Sequence, residues 1–198
     1  MGLYREGVQL AKEALQISEQ LSDTVGQGWY SNTLTLSLYD YHQLDVAEKA
    51  ASRAINLLLE GDEQFPICQC HCFLGNIYHS KGDIEKASNH FKVALRIASS
   101  FDWNYQLFWI HHSMVQLVFD QGIFSHAHNH VEHAKSHVVN DMYYLGHAME
   151  LQARFWYTQH RLGEAKSETL HAVEVYQKLG ATRELERCRQ LLGEIDSE

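Results

Sequence analysis

A spaced pair of small residues, Ala-x6-Ala, recurs along this chain at a nearly constant interval. It stands at Ala47/Ala54, Ala87/Ala94, Ala127/Ala134 and Ala165/Ala172, with a degenerate copy, Gly7/Ala14, ahead of them. The first members step by 40, 40, 40 and 38 residues. One such pair carries no information, but five in register mean a repeated structural unit. Small side chains two helical turns apart let a helix approach its neighbours closely, so the period points to stacked helices.

The clearest copy reads Leu74-Gly75-x-x-Tyr78, then Gly82, then Ala87-x3-Phe91-x2-Ala94. Its apolar residues recur at helical spacing on two segments broken at Lys81-Gly82-Asp83, which predicts a helix, a tight turn and a second antiparallel helix. Gly75 and Ala87 are expected to form a close crossing within that pair. Gly61 suits a helix end, Pro66 the first turn of the next helix, and Gly180 a break. Extended along the chain, the pattern predicts a half repeat at 3–20 and helix pairs at 25–60, 66–100, 102–138 and 140–179. A terminal helix is expected at 182–195. No linker or composition shift interrupts this, so residues 1–198 read as a single array. The array begins and ends in mid-repeat, which suggests a fragment of a longer protein or end repeats covered by another subunit.

Composition supports helices. The single proline and 12 glycines are too few turn residues for a β-sandwich or barrel of this length. With 25 acidic against 16 basic residues the formal charge is −9, which repels phosphate backbones and argues against nucleic acid as a partner. No apolar run is long enough to span a bilayer. The opening Met1-Gly2-Leu3-Tyr4-Arg5-Glu6 has no signal-peptide core, and Glu6 occupies the position where a myristoylation motif takes Ser or Thr. A cytoplasmic protein without a membrane partner is expected. Cys68, Cys70, Cys72 and Cys188 lack a C-x-x-C knuckle and read as small buried hydrophobes.

Leu74, Gly75, Tyr78, Ala87, Phe91 and Ala94 stand at the signature spacing of the tetratricopeptide repeat (TPR) family, which this chain resembles over nearly its whole length. The other copies depart in graded ways. Thr35, Val115 and Ala153 replace the first-helix glycine, Ala51, Val131 and Thr169 replace Phe91, and His42 and His160 replace the turn glycine kept at Gly82 and Gly122. The usual proline after the second helix is missing, and the period exceeds the family's usual ~34 residues. This long-period form is similar to the sensor arms of signalling NTPases and to spindle-orientation scaffolds. Residues 101–192 resemble the C-terminal repeats of fungal NB-ARC or NACHT-type proteins. The resemblance implies an all-α fold of antiparallel helix pairs stacked as a right-handed TPR-like superhelical solenoid.

It also implies a concave ligand surface on the first helices. Projecting the family's inward positions gives Trp29, Asn32, Leu36, Tyr39 and Asp40 in the first pair, and Gln69, Cys72, Asn76, His79 and Ser80 in the second. The third contributes Trp109, His112, Gln116, Phe119 and Asp120, and the fourth His147, Glu150, Arg154, Tyr157 and Thr158. The binding set drawn from these is Trp29, Asn32, Tyr39, Asp40, Asn76, His79, Trp109, His112, Phe119, Asp120, Glu150, Arg154 and Tyr157. Aromatic residues combine area with hydrogen bonding, which suits recognition, although Trp29, Trp109 and Phe119 also fit an inter-repeat core. The first three pairs project no Lys or Arg, whereas Asp40, Asp120 and Glu150 point to a neutral or basic protein or peptide rather than a C-terminal carboxylate tail.

Fourteen histidines are the compositional oddity. Their full protonation would carry the formal charge from −9 to +5, with most of the change expected between about pH 7.5 and 5.5. His126, His130, His133 and His137 share one helical stripe, read here as a solvated outer face with no metal assigned. The H-x-H chemistry of metallo-hydrolases needs a loop after a strand, whereas Ala127 and Ala134 place this segment on a repeat helix. No nucleotide, hydrolase or metalloprotease motif occurs. The expected function is therefore a non-catalytic protein- or peptide-binding module without a cofactor, the sensing or scaffolding arm of a larger protein. The alternative is a module that self-associates into dimers or filaments through its end repeats.

Overall fold

A computed structural model describes residues 2–138 and 141–198, with side chains outside 2–4 and 124–126. Ten helices occupy the described residues, and no strand is found among them. They are α1 (Gly2–Gln20), α2 (Thr24–Asp40), α3 (Leu44–Glu60), α4 (Gln64–Ser80), α5 (Ile84–Ser100), α6 (Asn104–Asp120), α7 (Phe124–Ser136), α8 (Met142–Thr158), α9 (Leu162–Leu179) and α10 (Thr182–Asp196). Each run of the sequence period is thus a helix pair, and the fold is an all-α helical-repeat solenoid. α2 to α6 and α8 are each 17 residues long, while α7 has 13. The helix expected to reach residue 138 therefore ends at Ser136, in the one repeat whose period is 38. Residue 140, where the fourth repeat was expected to begin, and residue 139 before it lie outside the described residues.

The chain divides into two compact units, residues 1–102 and 103–198. In the first, α1 packs on α2, α2 pairs with α3, α3 packs on α4, α4 pairs with α5, and α2 runs beside α4. In the second, α6 pairs with α7, α7 packs on α8, α8 pairs with α9, α9 packs on α10, and α8 also touches α6 and α10.

Turns repeat more strictly than the glycines do. Ser22, His42, Asp62, Gly82, Asp102, Gly122, His160 and Gly180 all sit just past a helix end with φ between 51° and 80°. The left-handed conformation lets the next amide reach back over the helix end, as Asp83 N–H does to Tyr78 O and Gln43 N–H to Leu38 O, both at 2.9 Å. The substitutions at His42 and His160 therefore keep the turn and carry its steric cost. Gly61 is a helix end as expected, but its φ is −97°, and Asp62 takes the left-handed position. Asp23 and Asp83 cap the following helices, accepting from Gly26 N–H at 2.9 Å and Lys86 N–H at 3.1 Å.

All eight alanines of the four full pairs are completely buried. Between the helices of each pair, size is traded across two frames. At one, Thr35, Gly75, Val115 and Ala153 belong with Ala51, Phe91, Val131 and Thr169, all buried. A Cβ built on Gly75 would lie 2.4 Å from the Phe91 ring, so the glycine answers Phe91 rather than only Ala87. At the other, Gly28 faces Leu58 and Gly146 faces Tyr176, with built-Cβ distances of 2.6 and 2.7 Å. The four cysteines are free and buried. Burial pushes the Cys68 and Cys70 thiols up to about 12 and Cys188 to about 11, so they behave as core atoms.

Candidate ligand-binding face

The projected first-helix positions separate into buried cross-repeat rungs and residues left at the surface. In the first unit the rung joins Asn32 to Gln69. Asn32 Nδ2 donates to Gln69 Oε1 at 2.8 Å, and its Oδ1 accepts the Cys70 thiol at 3.2 Å. Asn32, assigned to the groove by sequence, is buried and holds α2 to α4. In the second unit His112 meets His147 with ring centroids 5.4 Å apart. Glu150 meets Arg187 through two bonds, from Nε to Oε1 at 3.0 Å and from Nη2 to Oε2 at 2.8 Å. The Asn32–Gln69 and Glu150–Arg187 partners are both 37 residues apart, one repeat less one helical turn.

Glu150 is thereby corrected. Expected as an acid facing a basic ligand, it is buried and also receives Arg154 Nε at 3.4 Å and the Tyr176 hydroxyl at 3.3 Å. Burial alone would raise its pKa, but hydrogen bonding and charge from Arg187, with the charge of Arg154, hold it below the usual carboxylate range. Burial pushes His112 down to about 3 and His147 to about 4, helped respectively by His147 and by Arg187, so both imidazoles are neutral near pH 7.

Aromatic residues form a second recurring arrangement. Trp29 stacks on Phe65 at 6.4 Å, and Trp109 lies 6.5 Å from Tyr143. Phe65 and Tyr143 occupy the same repeat position, which Tyr105 holds in the intervening repeat. Trp29, Tyr105 and Tyr143 are exposed. Trp109 is half-buried among Phe108, His112, Tyr144 and His147, with centroids 5.0–5.9 Å away.

Of the remaining assigned residues, Tyr39 and Phe119 are half-buried against the cores of their units. Asp40, Asn76 and His79 are half-buried, and Asp120 is exposed. Tyr157 is partly covered, packing beside Leu191 and Ile195 of α10 and donating to Glu198 Oε1 at 3.1 Å. Sequence projection stopped at the fourth pair and so missed Arg187, although the frame Trp29, Gln69, Trp109, His147 continues forty residues on at that position.

No protein-family model matches this chain, and no curated protein matches it. Among solved structures, the crystal structure of BtubC (BKLC) from P. vanneervenii superposes on it. The TM-score is 0.71 over 98% of this chain and 91% of that one, at 12% identity. That likeness is one of fold.

The histidine stripe is not simply a solvated face. His126 has no described side chain, but His130, His133 and His137 gather on His111, a buried residue of α6. Their ring centroids lie 5.3, 4.9 and 6.0 Å from it. His111 Nδ1 is 3.1 Å from His130 Nδ1, and forty residues earlier His71 Nδ1 is 2.9 Å from His90 Nδ1. The centroid separations of 5.3 and 5.2 Å mean the nitrogens meet head-on. That is the geometry of one shared N–H···N hydrogen bond, not of lone pairs converging on an ion. Among the described residues no group of three or more His, Cys, Asp or Glu side chains is arranged so that it could hold a metal ion.

Proposed function

We propose that this chain is a non-catalytic protein- or peptide-binding module that works through its first-helix face as the sensing or scaffolding arm of a larger protein. The carrying observation is the recurrence of the Trp29/Phe65 and Trp109/Tyr143 pairs in one repeat frame, on first helices that part-buried polar contacts hold together within each unit. Exposed aromatic area on a rigid support gives high contact energy at low entropic cost. TPR-type repeats, which the sequence resembles, use the same face. Asp40 and Asp120, at the C-terminal ends of α2 and α6, suit a neutral or basic stretch of partner there. No helix among the described residues is long and apolar enough to cross a membrane. A cytoplasmic setting accords with four buried free thiols.

Selection of a random peptide library on the chain tests this reading. Selected peptides should be weakened by about 1–3 kcal/mol by Trp29→Ala or by Tyr105→Ala, according to the unit they engage, and not by Lys92→Ala on α5. Peptides indifferent to both aromatic changes, or lost with Lys92→Ala, would place recognition elsewhere.

Self-association is a second reading, supported by exposed Leu10, Ile17 and Leu21 on α1. A surface hollow of about 400 Å³ lined by Arg5, Glu6, Gln9 and Leu10 lies on the same helix. A mass that rises with concentration and returns to monomer in Leu10→Glu supports it; a constant monomer mass removes it.

A further inference from the structure

Projection of the repeat pattern assigned Glu150 a ligand-facing role, but the structure turns the chemistry of that place around. Glu150 is enclosed, and the groups that reach the surface around it are guanidinium groups. The Arg154 and Arg187 side chains are 32% and 35% exposed, against 7% for Glu150. Arg187 uses Nε and Nη2, and Arg154 uses Nε, to hold the carboxylate. Arg187 ties α8 to α10 through its bidentate contact, whereas Arg154 reaches Glu150 only from within α8, at 3.4 Å.

The local charge points the same way. Arg154, Arg183 and Arg187 stand with Glu150 and Glu184, a sum of +1 within a chain of −9. Glu184 also accepts the Tyr143 hydroxyl at 3.2 Å. Beside the pair lies His147, 3% exposed, whose two ring nitrogens have no hydrogen-bond partner among the described residues. A buried polar group left without a partner in a finished fold asks for one from outside it. Planar guanidinium forks match the oxygens of phosphate and carboxylate groups, and paired arginines are a recurrent means of reading them on peptides.

We propose that Arg154 and Arg187, aligned by the buried carboxylate of Glu150, form a fork that binds an oxyanion, a phosphorylated or acidic side chain, on a peptide partner. This rests on the peptide-binding reading above and assigns it an anchor. The neighbouring Tyr143 and half-buried Trp109 supply the apolar contact on which such a side chain's backbone would lie.

Four degenerate peptide libraries, capped at both ends and fixed at the centre as phosphoserine, glutamate, glutamine or lysine, test it on the full 198-residue chain. Phosphoserine or glutamate peptides should be retained about tenfold over glutamine, and Arg154→Gln should abolish that preference without moving the melting curve. Retention of phosphoserine alone assigns a phosphate reader, and equal retention of glutamate an acidic-peptide reader. Equal retention of glutamine or lysine peptides, or a preference that survives Arg154→Gln, overturns the fork. If those peptides are lost in Tyr105→Ala, the binding face stands without this anchor. Retention of no library counts against both.

Discussion

The ring of Phe91 fills the space in which a side chain on Gly75 would stand, with Cε1 2.4 Å from the ideal Cβ position. Both belong to the repeat signature, and the contact explains why they occur together in one copy and in no other. Thr35/Ala51, Val115/Val131 and Ala153/Thr169 solve the same crossing with two side chains of intermediate or small size. Gly75→Ala is expected to destabilise the chain by about 1–3 kcal/mol through overpacking. Gly193 in α10 has open space around its ideal Cβ, so Gly193→Ala should stabilise by about 0.5–1 kcal/mol. Urea denaturation of the two variants measures both; equal signs would refute the packing account.

His42 and His160 hold φ of 59° and 56° where other repeats have glycine. Each carries the steric cost of a left-handed residue, roughly 1 kcal/mol. His42→Gly should raise the melting temperature and Gly82→Ala should lower it, and thermal unfolding of the pair would show a trend of opposite sign if the turn is as described.

Removing Arg187 leaves Glu150 as a buried charge with only the 3.4 Å contact to Arg154 and the Tyr176 hydroxyl. Arg187→Ala should cost about 3 kcal/mol, far more than Arg154→Ala. Glu150→Gln should recover part of the loss in the double variant, because a neutral amide is cheaper to bury. A fully additive double-variant cycle would dismiss the coupling.

Acid sensitivity is expected from buried histidines, among them His111, on which the stripe residues His130, His133 and His137 pack. Burial lowers His111 to about 3 and His147 to about 4, and His71 is likewise held at about 4, so these groups remain neutral where the unfolded chain already binds protons. Their stabilising effect is full above the unfolded value of about 6.5 and is lost as pH falls toward the folded values. His111 and His147 should each remove about 1 kcal/mol between pH 6.5 and 5.5. The expected charge swing is correspondingly smaller, since His71, His111, His112 and His147 do not take part in it. Stability measured across that range in wild type and His111→Gln checks the sign: the variant should have the shallower slope, and a steeper one would contradict the burial of His111.

Local chemistry repeated at a fixed interval was readable from one dimension. Helix pairs, turn positions and buried alanines follow from hydrophobic spacing and small side chains, which act over a few residues and do not depend on what lies beyond the neighbouring helix. The order of aromatic and polar residues along the first helices was readable too, which is why Trp29, Trp109 and Arg154 could be named. What the sequence could not state is which of these residues meet. Asn32 finds Gln69, and Glu150 finds Arg187, because adjacent first helices are rotated so that a position on one faces the position a turn earlier on the next. Such pairings depend on how neighbouring helices pack, which no single stretch of sequence specifies, and they leave Glu150 enclosed while the arginines around it are partly open to water.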